Sequence, residues 1–460
     1  MSNGLKLCFL LLCMAFAASG QTTLKPVPAV TGKTPVIIIP GLTGSNLVNS
    51  KTGEEVWFKV RRAKDDDIRL PISPVLSQNR DDLVTKDIIR SIQFFKFLPE
   101  TEVYERLTAA LGERGYREVK WDSAEPGDEM DTYYVFPYDW RLDNVETARL
   151  LVQRIETLKR RLGKPRMKFN VIAHSMGGLI ARYAAMYGDS DIPARPKPTW
   201  AGARHFEKIF LLGAPNEGTV AALDSLLNGF SYIGGGLNIP FVRNINRFDT
   251  FSIPSIYQLL PHEGSFLAYD ADLKPLTIDI YDPEMWEKYG WAAWLDDDFE
   301  DEFPSIGQED AKAYFRAVLL RAKRFQAALD ANTSKKVPVS LYIIGADCKD
   351  TSNAIILRRD KDDARWETQF KADGYTRANG EKVTEDQLRR VLFALGDSVV
   401  TKRSLAGESL TASGRRTALP VVEEFFRCES HNKLATNPEI QAKLFSLLGA
   451  DIDTKVANKP

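Results

Sequence analysis

The run Phe169-Asn170-Val171-Ile172-Ala173-His174-Ser175-Met176-Gly177-Gly178 constrains the fold of this chain more than any other segment. Its first, mostly apolar half reads as a buried strand, and residues 179–185 read as a helix. The backbone must therefore reverse within a few residues of Ser175. Bulk on either side of that serine would clash in so sharp a turn, and small residues stand two before it (Ala173) and two after it (Gly177). Such a turn lifts the serine Oγ clear of a sheet. It also aims a helix N-terminus at any negative charge that forms beside the hydroxyl. The same residues suit a plain strand–helix turn with a capping serine, so the rest of the chain has to separate the two.

Pro35-Val36-Ile37-Ile38-Ile39 is a continuous β-branched run, typical of a parallel strand buried on both faces, and it enters the glycine-rich loop Pro40-Gly41-Leu42-Thr43-Gly44. Helical spacing of apolar residues covers 101–114 and 144–162, and further strands are expected at 133–136, 208–212 and 339–344. Strands alternating with helices predict an α/β fold: a mostly parallel sheet covered by helices on both faces. That rhythm fails between Ala214 and Val337. The organisation read from this is a first core part over 35–215, an inserted cap and lid over 216–336 and a second core part over 337–450, with a leader at 21–34 and a tail at 451–460. The charged, polar stretch 347–385 is expected to decorate the surface.

Composition narrows the partners. Lys plus Arg is 61 and Asp plus Glu is 62, for a net charge of -1, and no basic stripe stands out, which argues against nucleic acid. Residues 1–20 join Lys6, a short apolar run and Ala18-Ser19-Gly20, the pattern of a secretory signal peptide removed near Gly20. A secreted or otherwise exported protein is expected. Once residues 1–20 are gone, Cys348 and Cys428 remain, which makes one disulfide between them the natural expectation, with two free thiols as the alternative.

A serine hydroxyl needs a histidine base and a carboxylate to orient that base, in the chain order Ser, Asp or Glu, His when the serine sits in such a turn. The chain has four histidines. His174 adjoins the serine, and its side chain is expected to point elsewhere. His205 comes too early and His262 lies in the cap. His431 follows the apolar pair Phe425-Phe426 and precedes a final helix, where the base belongs. Two carboxylates, Asp347 and Asp397, each leave a strand, and spacing alone does not choose between them. The backbone N–H groups of Leu42 and Met176 are the expected oxyanion donors.

These parts resemble the lecithin:cholesterol acyltransferase family, which includes lysosomal phospholipase A2 and the phospholipid:diacylglycerol acyltransferases. Pro35 to Gly41 looks like that family's first strand and oxyanion loop. Pro137-Tyr138-Asp139-Trp140-Arg141 is similar to its P-Y-D-W-R signature. Ala173-His174-Ser175-Met176-Gly177 resembles the elbow of its lysosomal branch. Leu212-Gly213-Ala214-Pro215 with Gly218-Thr219, and Pro254-Ser255 with Leu259-Leu260-Pro261, look like the segments that bound its lid. The resemblance implies an α/β-hydrolase fold. It also implies Asp397 as the acid, since Gly396-Asp397-Ser398-Val399-Val400 follows the outline of the family's G-D-G-T-V. Read without the family, Asp139 and Arg141 between aromatics call for a buried, paired network.

The reaction expected is that of an exported serine acyl-ester hydrolase or O-acyltransferase acting on phospholipid or neutral lipid through an acyl-serine. The alternatives are a carboxylesterase for small soluble esters and a non-catalytic lipid-binding scaffold. The partners expected are the lipid and, transiently, a membrane or lipid-aggregate surface. No cofactor is called for, and no Asp/His grouping shows metal-ligand spacing in the sequence. Phe230, Tyr232, Ile233, Leu237 and Phe241, around the glycines at 234–236, read either as a mobile apolar lid or as a cap packed permanently on the core. Trp286, Trp291 and Trp294 suit either a membrane-surface anchor or burial.

Overall fold

A computed structural model describes residues 32–59, 67–92, 101–230, 245–262, 264–331, 337–360, 365–408, 410–411, 414–415 and 419–449. The strands that organise it are β1 (Val36–Ile39), β2 (Arg117–Glu118), β3 (Thr132–Val135), β4 (Phe169–His174), β5 (Phe206–Leu212), β6 (Leu267–Asp270), β7 (Pro275–Leu276), β8 (Ser340–Gly345), β9 (Ala354–Arg359), β10 (Trp366–Gln369) and β11 (Glu423–Phe426). Its main helices are α1 (Glu105–Glu113), α2 (Asn144–Arg161), α3 (Met176–Tyr187), α4 (Val220–Asn228), α5 (Gln308–Asp330) and α6 (Pro438–Leu448).

Seven strands form one sheet in the order β11-β8-β5-β4-β1-β3-β2, every neighbouring pair parallel. Parallel neighbours need a crossover, and the helices supply it while covering both faces. Alternation along β1 shows the two layers. Val36 and Ile38 face α1 and α6 through Leu107, Leu111, Ile440 and Phe445. Ile37 and Ile39 face α2, α3 and the cap. On α2 the spaced positions Ala148, Leu151, Ile155 and Leu158 are all buried, and Asp143 caps its first turn by accepting from the Val145 N–H. This is an α/β-hydrolase fold.

The region between β5 and β8 packs as an aromatic cap. Trp286 and Trp294 lie 5.0 and 5.1 Å from Phe315 of α5, and Trp291 lies 5.6 Å from Trp286. All three are buried, so they pack the cap and are not presented to a membrane surface. The stretch 347–385 departs from the surface decoration expected of it. Within it β9 pairs in parallel with the cap strand β6, Leu267 opposite Ala354, to form a second sheet in the order β7-β6-β9-β10. Ala354, Ile355, Ile356 and Leu357 are buried there. The short apolar run Ala354-Ile355-Ile356-Leu357 was hidden in the average polarity of its neighbours. Among the described residues no helix is long and apolar enough to cross a membrane.

Candidate active site

β4 ends at His174 and α3 begins at Met176, which leaves Ser175 alone between them at φ 54° and ψ −127°. A positive φ disfavours any side chain, so the surroundings must enforce it. A Cβ on Gly177 would stand 2.6 Å from the Pro40 carbonyl oxygen and 2.7 Å from that of Ile39, and one on Gly178 would stand 2.5 Å from the Ala214 methyl. Only glycine lets α3 start this close to the ends of β1 and β5. The Ser175 N–H donates to the Leu212 carbonyl at 2.8 Å, which anchors the turn to β5.

His431 opens a short 3-10 helix (His431–Thr436) after β11. Its Nε2 lies 2.9 Å from Ser175 Oγ, and its Nδ1 lies 2.7 Å from Asp397 Oδ2. The other oxygen of fully buried Asp397 accepts the N–H groups of Val399 and Val400 at 3.0 and 2.7 Å. With Asp397 accepting from Nδ1–H, Nε2 is the ring nitrogen that can accept the Ser175 proton. Asp347 pairs instead with Lys402 Nζ, 2.7 Å away at the surface. A disulfide joins Cys348 to Cys428 with their Cα atoms 5.2 Å apart. The Cys348 N–H donates to the Gly396 carbonyl, so this bond clamps the turn that carries Asp397 to the loop that carries His431.

The Leu42 loop stands over Ser175. A Cβ on Gly41 would come 2.8 Å from the Ser175 Cβ. Leu42 lines the pocket, and Met176 is the first residue of α3, where a backbone N–H has no acceptor within the helix. Tyr138 holds this loop from below, its Oη donating to the Pro40 carbonyl at 2.8 Å and its N–H to Ser45 Oγ at 3.2 Å. Arg141, fully buried, donates to Asp81 at 2.6 Å and Asp139 at 2.7 Å. The Pro137–Arg141 run is thus a paired network that props the Pro40–Gly44 loop.

Sequence reasoning missed His174 and Tyr104. The expectation that the His174 side chain points elsewhere is corrected: its ring centroid lies 5.1 Å from that of His431. Its Nε2 lies 3.2 Å from the His431 carbonyl, and a carbonyl can only accept, so Nε2 carries the proton. Loss of water around the ring, with the His431 imidazole second, pushes His174 down to about 3, so the ring is neutral. Nδ1 therefore accepts from Tyr104 Oη at 2.8 Å, while the same oxygen accepts the Gly41 N–H at 2.9 Å. One tyrosine and one histidine thereby link Gly41 to the backbone of His431. The sequence signal was present in His174, but Tyr104 lies 70 residues away. His205 is buried beside Lys159, 3.0 Å away, and is pushed down to about 4 by burial and by that lysine's charge.

A cavity of about 440 Å³ opens on Ser175. Val103, Pro215, Ala222, Ile256 and Leu259 give it largely apolar walls. Phe230 lines it too, its backbone paired with that of Ile245, whereas Tyr232, Ile233, Leu237 and Phe241 lie outside the described residues.

Residues 89–315 match the family model "Lecithin:cholesterol acyltransferase". "Lecithin-cholesterol acyltransferase-like 4" of Arabidopsis thaliana is 27% identical over 260 residues, covering 49% of this chain and 42% of that protein. "Phospholipid--sterol O-acyltransferase" of the same plant is 30% identical over 149 residues, covering 31% and 22%. This chain thus spans less than half the length of either relative. A solved chain of the "Tle4-Tli4 complex" superposes with a TM-score of 0.53 at 15% identity, covering 91% of this chain and 98% of that one, which supports the fold alone. Asp397 and His431 fall beyond the matched stretch; Ser175 and the Pro137–Arg141 run fall inside it. Residues 89–315 of the chain are thus similar to the lecithin:cholesterol acyltransferase family.

Proposed function

We propose that this chain is a serine-dependent lipid acyl-ester hydrolase or O-acyltransferase. The observation that carries the reading is the aligned series Ser175 Oγ, His431 Nε2, His431 Nδ1 and Asp397 Oδ2, at 2.9 and 2.7 Å, opening on a largely apolar pocket. Its likeness to a family of acyltransferases, and to a phospholipid–sterol acyltransferase within it, supports a lipid substrate. The N-terminal pattern and the disulfide support export to an oxidising compartment.

In this reading Ser175 Oγ attacks the ester carbonyl carbon while His431 Nε2 takes its proton. The N–H groups of Leu42 and Met176 hold the oxygen as it becomes negative. Collapse expels the alcohol, which takes the proton back from His431, and leaves an acyl-serine. A water or a second alcohol, deprotonated by the same histidine, then attacks the acyl-serine; the bond from Ser175 Oγ to the acyl carbon breaks, His431 returns the proton to Oγ, and the acid or new ester leaves. The acceptor alone decides between hydrolysis and transfer.

The Ser175→Ala variant should lose about 10⁶-fold in acyl release from phospholipid vesicles and lose labelling by a fluorophosphonate. Undiminished release overturns the mechanism. Lipid analysis of a mixed-lipid reaction, with and without a sterol or a diacylglycerol, identifies donor and acceptor together.

A further inference from the structure

Three titratable side chains from distant parts of the chain meet beside the pocket and take no part in the chemistry above. Glu217 lies between the pocket-lining residues Pro215 and Thr219, His262 follows Leu260-Pro261, and Asp330 closes α5. Glu217 and His262 are 4% and 1% exposed, and one ligating atom from each of the three residues lies within 4.8 Å of the others. His262 Nδ1 is 2.9 Å from Asp330 Oδ2 and 3.3 Å from Glu217 Oε2, within ion-pair reach of both carboxylates. On the far side of the ring, Nε2 lies 2.6 Å from Gln326 Oε1, and Gln326 Nε2 donates to the Gln258 carbonyl. That carbonyl fixes which way the amide faces, so Oε1 points at His262 and His262 Nε2 carries the proton. Nδ1, on the other edge of the ring, faces both carboxylates, and a metal ion bound there takes the place of the proton that Nδ1 shares with them. A metal-ligating histidine is held in this way, its second nitrogen donating to an outer acceptor. Ser265 Oγ donates to Glu217 Oε2 at 3.0 Å and orients that carboxylate similarly.

We propose that His262 Nδ1, Glu217 Oε2 and Asp330 Oδ2 form a site for one divalent transition cation of the zinc class. Ligand atoms around a tetrahedral ion with bonds of about 2.0–2.1 Å stand roughly 3.3–3.4 Å apart, which the 3.3 Å between His262 Nδ1 and Glu217 Oε2 matches and the 2.9 Å to Asp330 Oδ2 approaches. Calcium is a poor fit, because it takes about six to eight oxygens and one donor here is an imidazole nitrogen. Asp330, 18% exposed, leaves a side open for entry and for a water as fourth ligand. No metal was expected from the sequence, because the three residues share no local spacing; the fold alone brings them together. The ion would staple the segment that leads from β5 into the cap to the end of α5.

The test uses the full chain, purified without chelator. Metal analysis should find about one zinc per chain. Chelation should lower Tm by about 4–8 °C, and added zinc should restore it. Cobalt(II) in its place should show tetrahedral visible absorption. The His262→Gln variant, folded by circular dichroism, should lose the zinc, the Tm response and the cobalt spectrum; if it does not fold, the metal content of Glu217→Gln and Asp330→Asn carries the test. A metal-free wild type whose Tm ignores zinc overturns the proposal, as does a zinc response that survives in these variants or a response to calcium alone. None of these readouts depends on Ser175, so their failure leaves the proposed acyl chemistry standing.

Discussion

Ser175 stores strain at φ 54°, and the residues that hold it there are the ones that place its hydroxyl against His431. At this scale the two carboxylates left open by spacing can be separated by experiment. The Asp397→Asn variant should keep the fold and lower turnover about 10⁴-fold, because the ring of His431 would settle in the wrong tautomer. Asp347→Asn should turn over at a near-normal rate; kcat measured on both decides, and the opposite result overturns the assignment. His174 makes a prediction about acid. Its folded value of about 3 lies below the ordinary 6.5. Between those values the unfolded chain binds the proton and the folded one does not, so stability falls as pH drops from 6.5 towards 3, and above 6.5 this contribution is flat. The loss is at most about 1.4 kcal/mol per pH unit. Tm followed from pH 7 to pH 4.5 should drop less steeply in a folded His174→Gln variant than in wild type, and equal slopes count against the assignment. Ser175 and His431 were legible because a local turn and the order of groups along the chain determine them. Tyr104 was not legible, because nothing in its neighbourhood says that it will meet Gly41 and His174.

At the scale of elements, the strand–turn–helix unit at Ser175 is local and could be read directly, as could the buried run of β1. The two loops that deliver Asp397 and His431 are different. They belong to separate strands and are held in register by the disulfide, with a sequence separation of 80. Replacing both cysteines by serine should cost about 2–5 kcal/mol of stability. Turnover should fall as well, because His431 lies three residues beyond Cys428. Denaturant unfolding and kcat, each measured on the double variant, check the two effects. An unchanged kcat would make the clamp a matter of stability alone.

Across the whole molecule, the cap and the stretch 347–385 are one structure, joined where β6 pairs with β9. Ile356, fully buried on β9, should report this: Ile356→Ala is expected to destabilise by about 2–4 kcal/mol, read by urea unfolding. A surface-decoration value below about 0.5 kcal/mol would remove the shared sheet from the account. The same folding event gathers Glu217, His262 and Asp330 from three segments and brings the apolar walls of the pocket to Ser175.

The division follows physical range. The sequence by itself determined what depends on neighbouring residues: the buried parallel strands, the elbow, the glycines that let backbones approach and the order in which serine, acid and base occur. Tertiary structure decided what depends on residues meeting across the fold. It brought Asp397 rather than Asp347 to His431, turned His174 into a link between the Pro40–Gly44 loop and His431, and buried the tryptophans. It also made a core strand of part of a segment whose average polarity pointed outward, because pairing with β6 covers one short apolar run and average composition cannot register that.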